Sequence, residues 1–153
     1  SDRDLEYFIG ELRNIGRPVV LIFFGDHQPS VATPLNDELN PNEDGSTHAQ
    51  RVYQSTYIMW ANYQVEGVGD LNVNDTMGAN ELAATLLDKI GAPLTDYQKA
   101  LLAARSDVPA INVAGYVGAD GLRYDIESAD SPYLSAVDKM RRIQYRHFAE
   151  KVQ

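Results

Sequence analysis

The chain has 153 residues, one domain's length and enough for a real core. Asp and Glu outnumber Lys and Arg by 22 to 13, and the net charge of -9 argues against a nucleic-acid partner or a surface held to anionic lipid by charge alone. With no cysteine, disulfides and cysteine-ligated zinc are excluded, and 44% hydrophobic against 23% charged residues reads as globular.

In chain order, residues 1–15 read as a helix. Leu5, Phe8, Ile9, Leu12 and Ile15 recur at helical spacing, Ser1 and Asp4 have capping-box spacing, and Gly16 with Pro18 ends the pattern. Residues 19–24 follow as six unbroken apolar residues, too few for a membrane span. They fit a strand buried on both faces, as in a parallel sheet. A helix leading into a parallel strand is half of a βαβ unit, which implies an earlier strand outside this sequence. No stretch reads as a signal peptide or a membrane span.

Gly25 closes that run and two metal-ligand types follow, Asp26 and His27. Ligands of open α/β sheets gather beyond the carboxyl ends of strands. A carboxylate beside a neutral imidazole suits Zn²⁺, Mn²⁺ or Fe, and Mg²⁺ leans more on carboxylate and water. The residue types leave a second reading open, a strand-end turn in which Asp26 caps local N–H groups and His27 is hydrogen-bonded or solvated.

Residues 28–51 read as a long acidic loop punctuated by Pro29, Pro34, Pro41 and Gly45, placed to wall a site at the turn. His48 lies in it, either as a third ligand or as a solvated histidine. Residues 53–63 read as a second strand centred on Tyr57, Ile58, Met59 and Trp60. A helix capped by Asn74, Asp75 or Thr76 runs to about residue 90, where Gly91 and Pro93 stop it. Thr95 and Gln98 start a short helix to about residue 105. Residues 108–117 are extended, with Pro109 marking a sheet edge, and residues 117–124 form a hairpin. A last helix starts at Ser131-Pro132 and runs to about residue 151. Arg141, Arg142 and Arg146 cluster on it, as a phosphate contact or as a solvated basic face.

The segment Phe24-Gly25-Asp26-His27-Gln28-Pro29-Ser30 resembles the metal-binding turn of the lipoteichoic acid synthase-like phosphoglycerol transferases, in the sulfatase branch of the alkaline phosphatase superfamily. Tyr57 to Tyr63, Met77 to Leu82, Pro109 to Gly121 and Ile143 to Phe148 resemble the family's following segments in the same order.

The resemblance implies a fold: the C-terminal portion, residues 1–153, of an α/β sulfatase-like sandwich, with a mostly parallel sheet flanked by helices and a small C-terminal hairpin. It also implies a parent protein anchored in the cell membrane, with this domain extracellular. Asp26 and His27 would bind a catalytic divalent cation, Mn²⁺ or Mg²⁺. An upstream threonine would attack a lipid head group and pass glycerophosphate to a polymer or glycan acceptor. No threonine here has the matching context, so no catalytic residue is assigned to this chain. A sulfatase, a phosphodiesterase or a phosphoethanolamine transferase of the same superfamily is the nearest alternative. A non-catalytic interaction domain is the further one, and it predicts an intact sheet. The family reading instead predicts an exposed apolar sheet face or edge where the missing N-terminal half docks, with self-association of the isolated piece.

Overall fold

The computed structural model describes residues 2–66, 68 and 76–149. The chain is mixed α/β with two small antiparallel sheets. Helix α1 (Asp2–Arg13) leads to strand β1 (Val20–Phe24), which pairs antiparallel with β2 (Tyr57–Ala61). The joint between helix and strand is tied by Asn62. Its amide donates to the carbonyls of Leu12, Ile15 and Arg17 at 3.3, 3.2 and 2.9 Å, and its Oδ1 accepts from the Val19 N–H at 2.9 Å. Carbonyls at and just beyond the end of α1 thus gain partners that the helix cannot supply. The Ser1 cap expected for α1 lies outside the described residues.

Residues directly opposite in an antiparallel pair share a face. In this register Val20 faces Ala61, Ile22 faces Met59 and Phe24 faces Tyr57. That side is packed: Val20, Ile22, Tyr57 and Met59 join Leu82, Leu86, Met77 and Ile90 in one core cluster. The other side carries Leu21 opposite Trp60 and Phe23 opposite Ile58. None of these four belongs to either buried cluster, and Phe23 is 48% exposed. An unbroken apolar strand therefore has one face packed into a core up to Ile22 and one face outside both cores, half-buried at Leu21, Ile58 and Trp60 and exposed at Phe23. The parallel neighbours expected for β1 are not among the described residues. Its partner β2 runs antiparallel; an apolar run records burial and carries no information about strand direction.

The expected loop over residues 28–51 is corrected. A 3-10 turn at Ser30–Ala32 leads into helix α2 (Thr33–Leu39), and α3 (Gly45–Val52) follows. Pro34 lies in the first turn of α2, where its missing N–H costs nothing, so it starts a helix instead of breaking one. Asp44 caps α3 by accepting from the Thr47 N–H at 2.9 Å and the Thr47 hydroxyl at 2.8 Å.

After β2 come a 3-10 turn at Ala79–Glu81, α4 (Leu82–Lys89) and α5 (Asp96–Ala104). Asn74 and Asp75, expected to cap α4, lie outside the described residues, and the helix begins later than expected. Gly91 ends it with φ +68°, a conformation costly for a side chain bearing Cβ. The Thr95–Gln98 capping box of α5 forms in both directions. Strands β3 (Ala110–Ile111), β4 (Gly115–Val117) and β5 (Arg123–Asp125) make the second sheet, turning at Gly121 with φ +78°. Helix α6 (Leu134–Ala149) closes the chain. Ala104, Val108, Tyr116, Val137 and Met140 form the second core, between this sheet and α5 and α6. None of the described helices is long and apolar enough to cross a membrane.

Candidate metal centre

The site is built from the end of β1. The Gly25 N–H continues the ladder by donating to the Thr56 carbonyl at 3.1 Å. A Cβ at Gly25 would run into the Ser55 hydroxyl, which would have to turn away to admit it. The chain then turns outward. Asp26 Oδ1 accepts from the His27 N–H at 2.9 Å. The His27 ring reaches the Gln28 carbonyl through Nδ1 at 3.0 Å. A carbonyl only accepts, so Nδ1 carries the proton and the neutral ring keeps its lone pair on Nε2. Nε2 lies 3.6 Å from Asp26 Oδ2.

That arrangement has a chemical consequence. Two acceptor atoms this close, both open to solvent, are reconciled by water donating to them or by a positive charge between or on them. A proton on Nε2 supplies one, making an ion pair. A divalent cation supplies another. Donors bound to one cation at about 2.1 Å each lie at most about 4.2 Å apart, and 3.6 Å is inside that limit. A ligating histidine usually gives its second nitrogen to a carbonyl or carboxylate, as His27 does here. The donor set fits a cation of the Mn²⁺ or Mg²⁺ kind, but it supplies only two ligands. Both side chains are wide open, at 86% and 74% exposure. Among the described residues no group of three His, Asp or Glu side chains gathers as a metal set.

His48 is not a third ligand of this turn. It lies on α3 with Nε2 3.1 Å from Asp37 Oδ1, beside Arg51, which forks onto Glu43 through Nε at 2.7 and 2.8 Å. Arg51 and His48 together hold the Asp37 carboxyl below its ordinary range. Arg141 is likewise in local use, donating to the Ile126 carbonyl at 3.2 Å and facing Asp138 at 3.6 Å.

Sequence reasoning gave no separate role to Gln28, which fixes the turn to the rest of the fold. Its amide donates to the Arg51 and Gln54 carbonyls, both at 2.9 Å, and its oxygen accepts from Asn36 at 2.9 Å. Arg51 and Gln54 are at and just past the end of α3, so the turn is docked on that helix end. The other side of α3 meets the second sheet. Gln50 is 1% exposed and donates to the Tyr124 carbonyl at 3.0 Å. Helix α3 is thus the bridge between the Gly-Asp-His turn and the strands β4 and β5.

A cleft of about 160 Å³ opens between these parts. Phe24, Tyr53 and Ile111 give it apolar walls, Ser55, Thr56 and Thr76 line it with hydroxyl-bearing residues, and Asp26 and Arg123 bring opposite charges to it. Neither a family model, nor a curated protein, nor a solved structure matches this chain.

Proposed function

We propose that the chain is the C-terminal part of a metal-dependent phosphoglycerol transferase of the lipoteichoic acid synthase-like kind, with Asp26 and His27 as two of the cation's ligands. The observation that carries this reading is the pairing of Asp26 Oδ2 with His27 Nε2, held in place by the Gln28 carbonyl. The remaining ligands, the threonine nucleophile and the membrane anchor would belong to an upstream half. The cation would lower the barrier by stabilising the attacking alkoxide and the charge building on phosphorus.

The face of β1 and β2 that lies outside both cores supports the same reading. Leu21, Phe23, Ile58 and Trp60 form an apolar sheet face that neither core cluster covers. In the parent protein these strands would be the antiparallel margin of a larger, mostly parallel sheet, with the upstream half covering that face. A self-contained interaction domain would be expected to cover both faces itself.

The test is Asp26→Ala in the longer, membrane-anchored protein, assayed for transfer of glycerophosphate from a phosphatidylglycerol-type lipid. The reading expects turnover to fall at least a thousandfold while circular dichroism is unchanged. Turnover within a few-fold of the unaltered protein would remove the assignment.

A further inference from the structure

Arg123 is held differently from the other half-buried arginines. Arg51, Arg105 and Arg141 each face a carboxylate. Arg123 faces two amides. Its Nη1 donates to Gln50 Oε1 at 3.4 Å, and the Gln54 amide, turned with its oxygen toward the guanidinium, accepts from Nη2 and Nη1 at 2.8 and 3.1 Å. Among the described residues it has no carboxylate partner. Two neutral acceptors orient the guanidinium without neutralising it, and they leave donors unused.

Its position makes that charge available. Arg123 is half-buried and lines the cleft beside the Gly-Asp-His turn. The register puts Arg123 opposite Val117, on the sheet face that also carries Gly115 and meets α3. Gly115 lacks a Cβ where Gln50 and the Tyr124 carbonyl press in, so the Gln50 amide that helps steer Arg123 is itself fixed by packing. A planar, preoriented guanidinium in a partly desolvated cleft matches an oxyanion with two oxygens to offer.

We propose that this cleft is an oxyanion site, with Arg123 as its cation and a small phosphate ester as its ligand class. The ester is favoured over free phosphate because one wall is apolar, at Phe24, Tyr53 and Ile111, and can hold the carbon part. As the head-group end of a lipid substrate the ligand rests on the transferase reading. A cation on Asp26 and His27 would then remove the repulsion of Asp26 and add a second positive charge. The oxyanion site itself stands on Arg123 alone.

The test is an NMR titration of this chain with sn-glycerol 3-phosphate and with inorganic phosphate, in EDTA and then with Mg²⁺. In EDTA the expected result is saturable shifts at Arg123 Nε–H and the Gln54 amide, with the ester at least threefold tighter than phosphate. Arg123→Gln should weaken ester binding tenfold or more. Ser55→Asp, an exposed change that brings a negative charge to the same wall, should weaken it too and covers the case in which Arg123→Gln fails to fold. Absence of saturable shifts, or unaltered affinity in either folded variant, would overturn the site. Equal affinity for phosphate would overturn the ester class. Binding in EDTA that Mg²⁺ leaves unchanged, with no shift at residues 25–28, would uphold the site and count against the transferase reading instead.

Discussion

Asp26 Oδ2 and His27 Nε2 face each other across 3.6 Å while His27 Nδ1 is committed to the Gln28 carbonyl. The turn is also anchored at a distance, because Gln28 is bonded to the two carbonyls at the end of α3. The first prediction concerns that anchor. Gln28→Ala should leave Asp26 and His27 present, with the Gln28 carbonyl still beside the His27 ring, but loosen the turn and so weaken Mn²⁺ binding there by up to about tenfold, the low end of the cost of losing support around a ligand. Isothermal titration of the two proteins checks it, and equal affinities would mean that the anchor is irrelevant to the cation.

Gly115 is the second position to test. A Cβ there would press on the Gln50 side chain and the Tyr124 carbonyl, which α3 and β5 hold in place. Gly115→Ala should destabilise the chain by about 1–3 kcal/mol, the cost of overpacking a filled site. Urea unfolding measures it. An unchanged midpoint would show that α3 can move away from the second sheet.

The β1–β2 face outside both cores is the third place to test. The isolated chain should self-associate through Leu21, Phe23, Ile58 and Trp60, since apolar patches of this kind seek cover. Phe23→Lys should shift sedimentation toward monomer. The unfolding midpoint should barely change, because Phe23 is 48% exposed and outside both cores. A purely monomeric unaltered chain at high concentration would contradict it.

The fourth prediction is a pH dependence. The Tyr124 hydroxyl donates to Asp120 Oδ2 at 2.7 Å, which, with backbone donors, holds the Asp120 carboxyl below its ordinary value. The same bond raises Tyr124 to about 12 from 10.0. For Asp120 the folded value is the lower one, so its stabilisation is present above the unfolded value of 3.8 and is lost as pH falls further. For Tyr124 the folded value is the higher one, so its stabilisation is full below pH 10.0 and is lost as pH rises through about 12. Tyr124→Phe should therefore lower Tm at neutral pH, and the difference from the unaltered chain should shrink below pH 3.8. A Tm gap that is independent of pH would show that the charge on Asp120 contributes nothing to the effect of the hydroxyl.

Parts of this fold were legible in the sequence and parts were not, for physical reasons. The Thr95–Gln98 box is a local code, and α5 begins where it predicts. The hairpin turn at Gly121 needs a positive φ and was readable for that reason. Helices α2 and α3 were hidden because proline and acidic residues read as loop, although Pro34 and Asp44 occupy the helix-starting positions that favour those residues. The direction of β2 was illegible, since an apolar run records burial alone. In the candidate site, Asp26 and His27 were visible because they adjoin a strand end. Arg123 was not, since its contact with Gln50 spans 73 residues and no local pattern announces it.

Mn²⁺ titration of the chain, read by paramagnetic broadening of its amide resonances, decides whether Asp26 and His27 hold a cation. With a net charge of -9 the surface attracts any cation weakly, so location decides the matter and mere binding does not. The account predicts that residues 25–28 broaden first and that Asp26→Ala or His27→Ala abolishes this early broadening. Broadening spread evenly over the acidic surface, unchanged in both variants, would contradict it and leave the Gly-Asp-His segment as a strand-end turn.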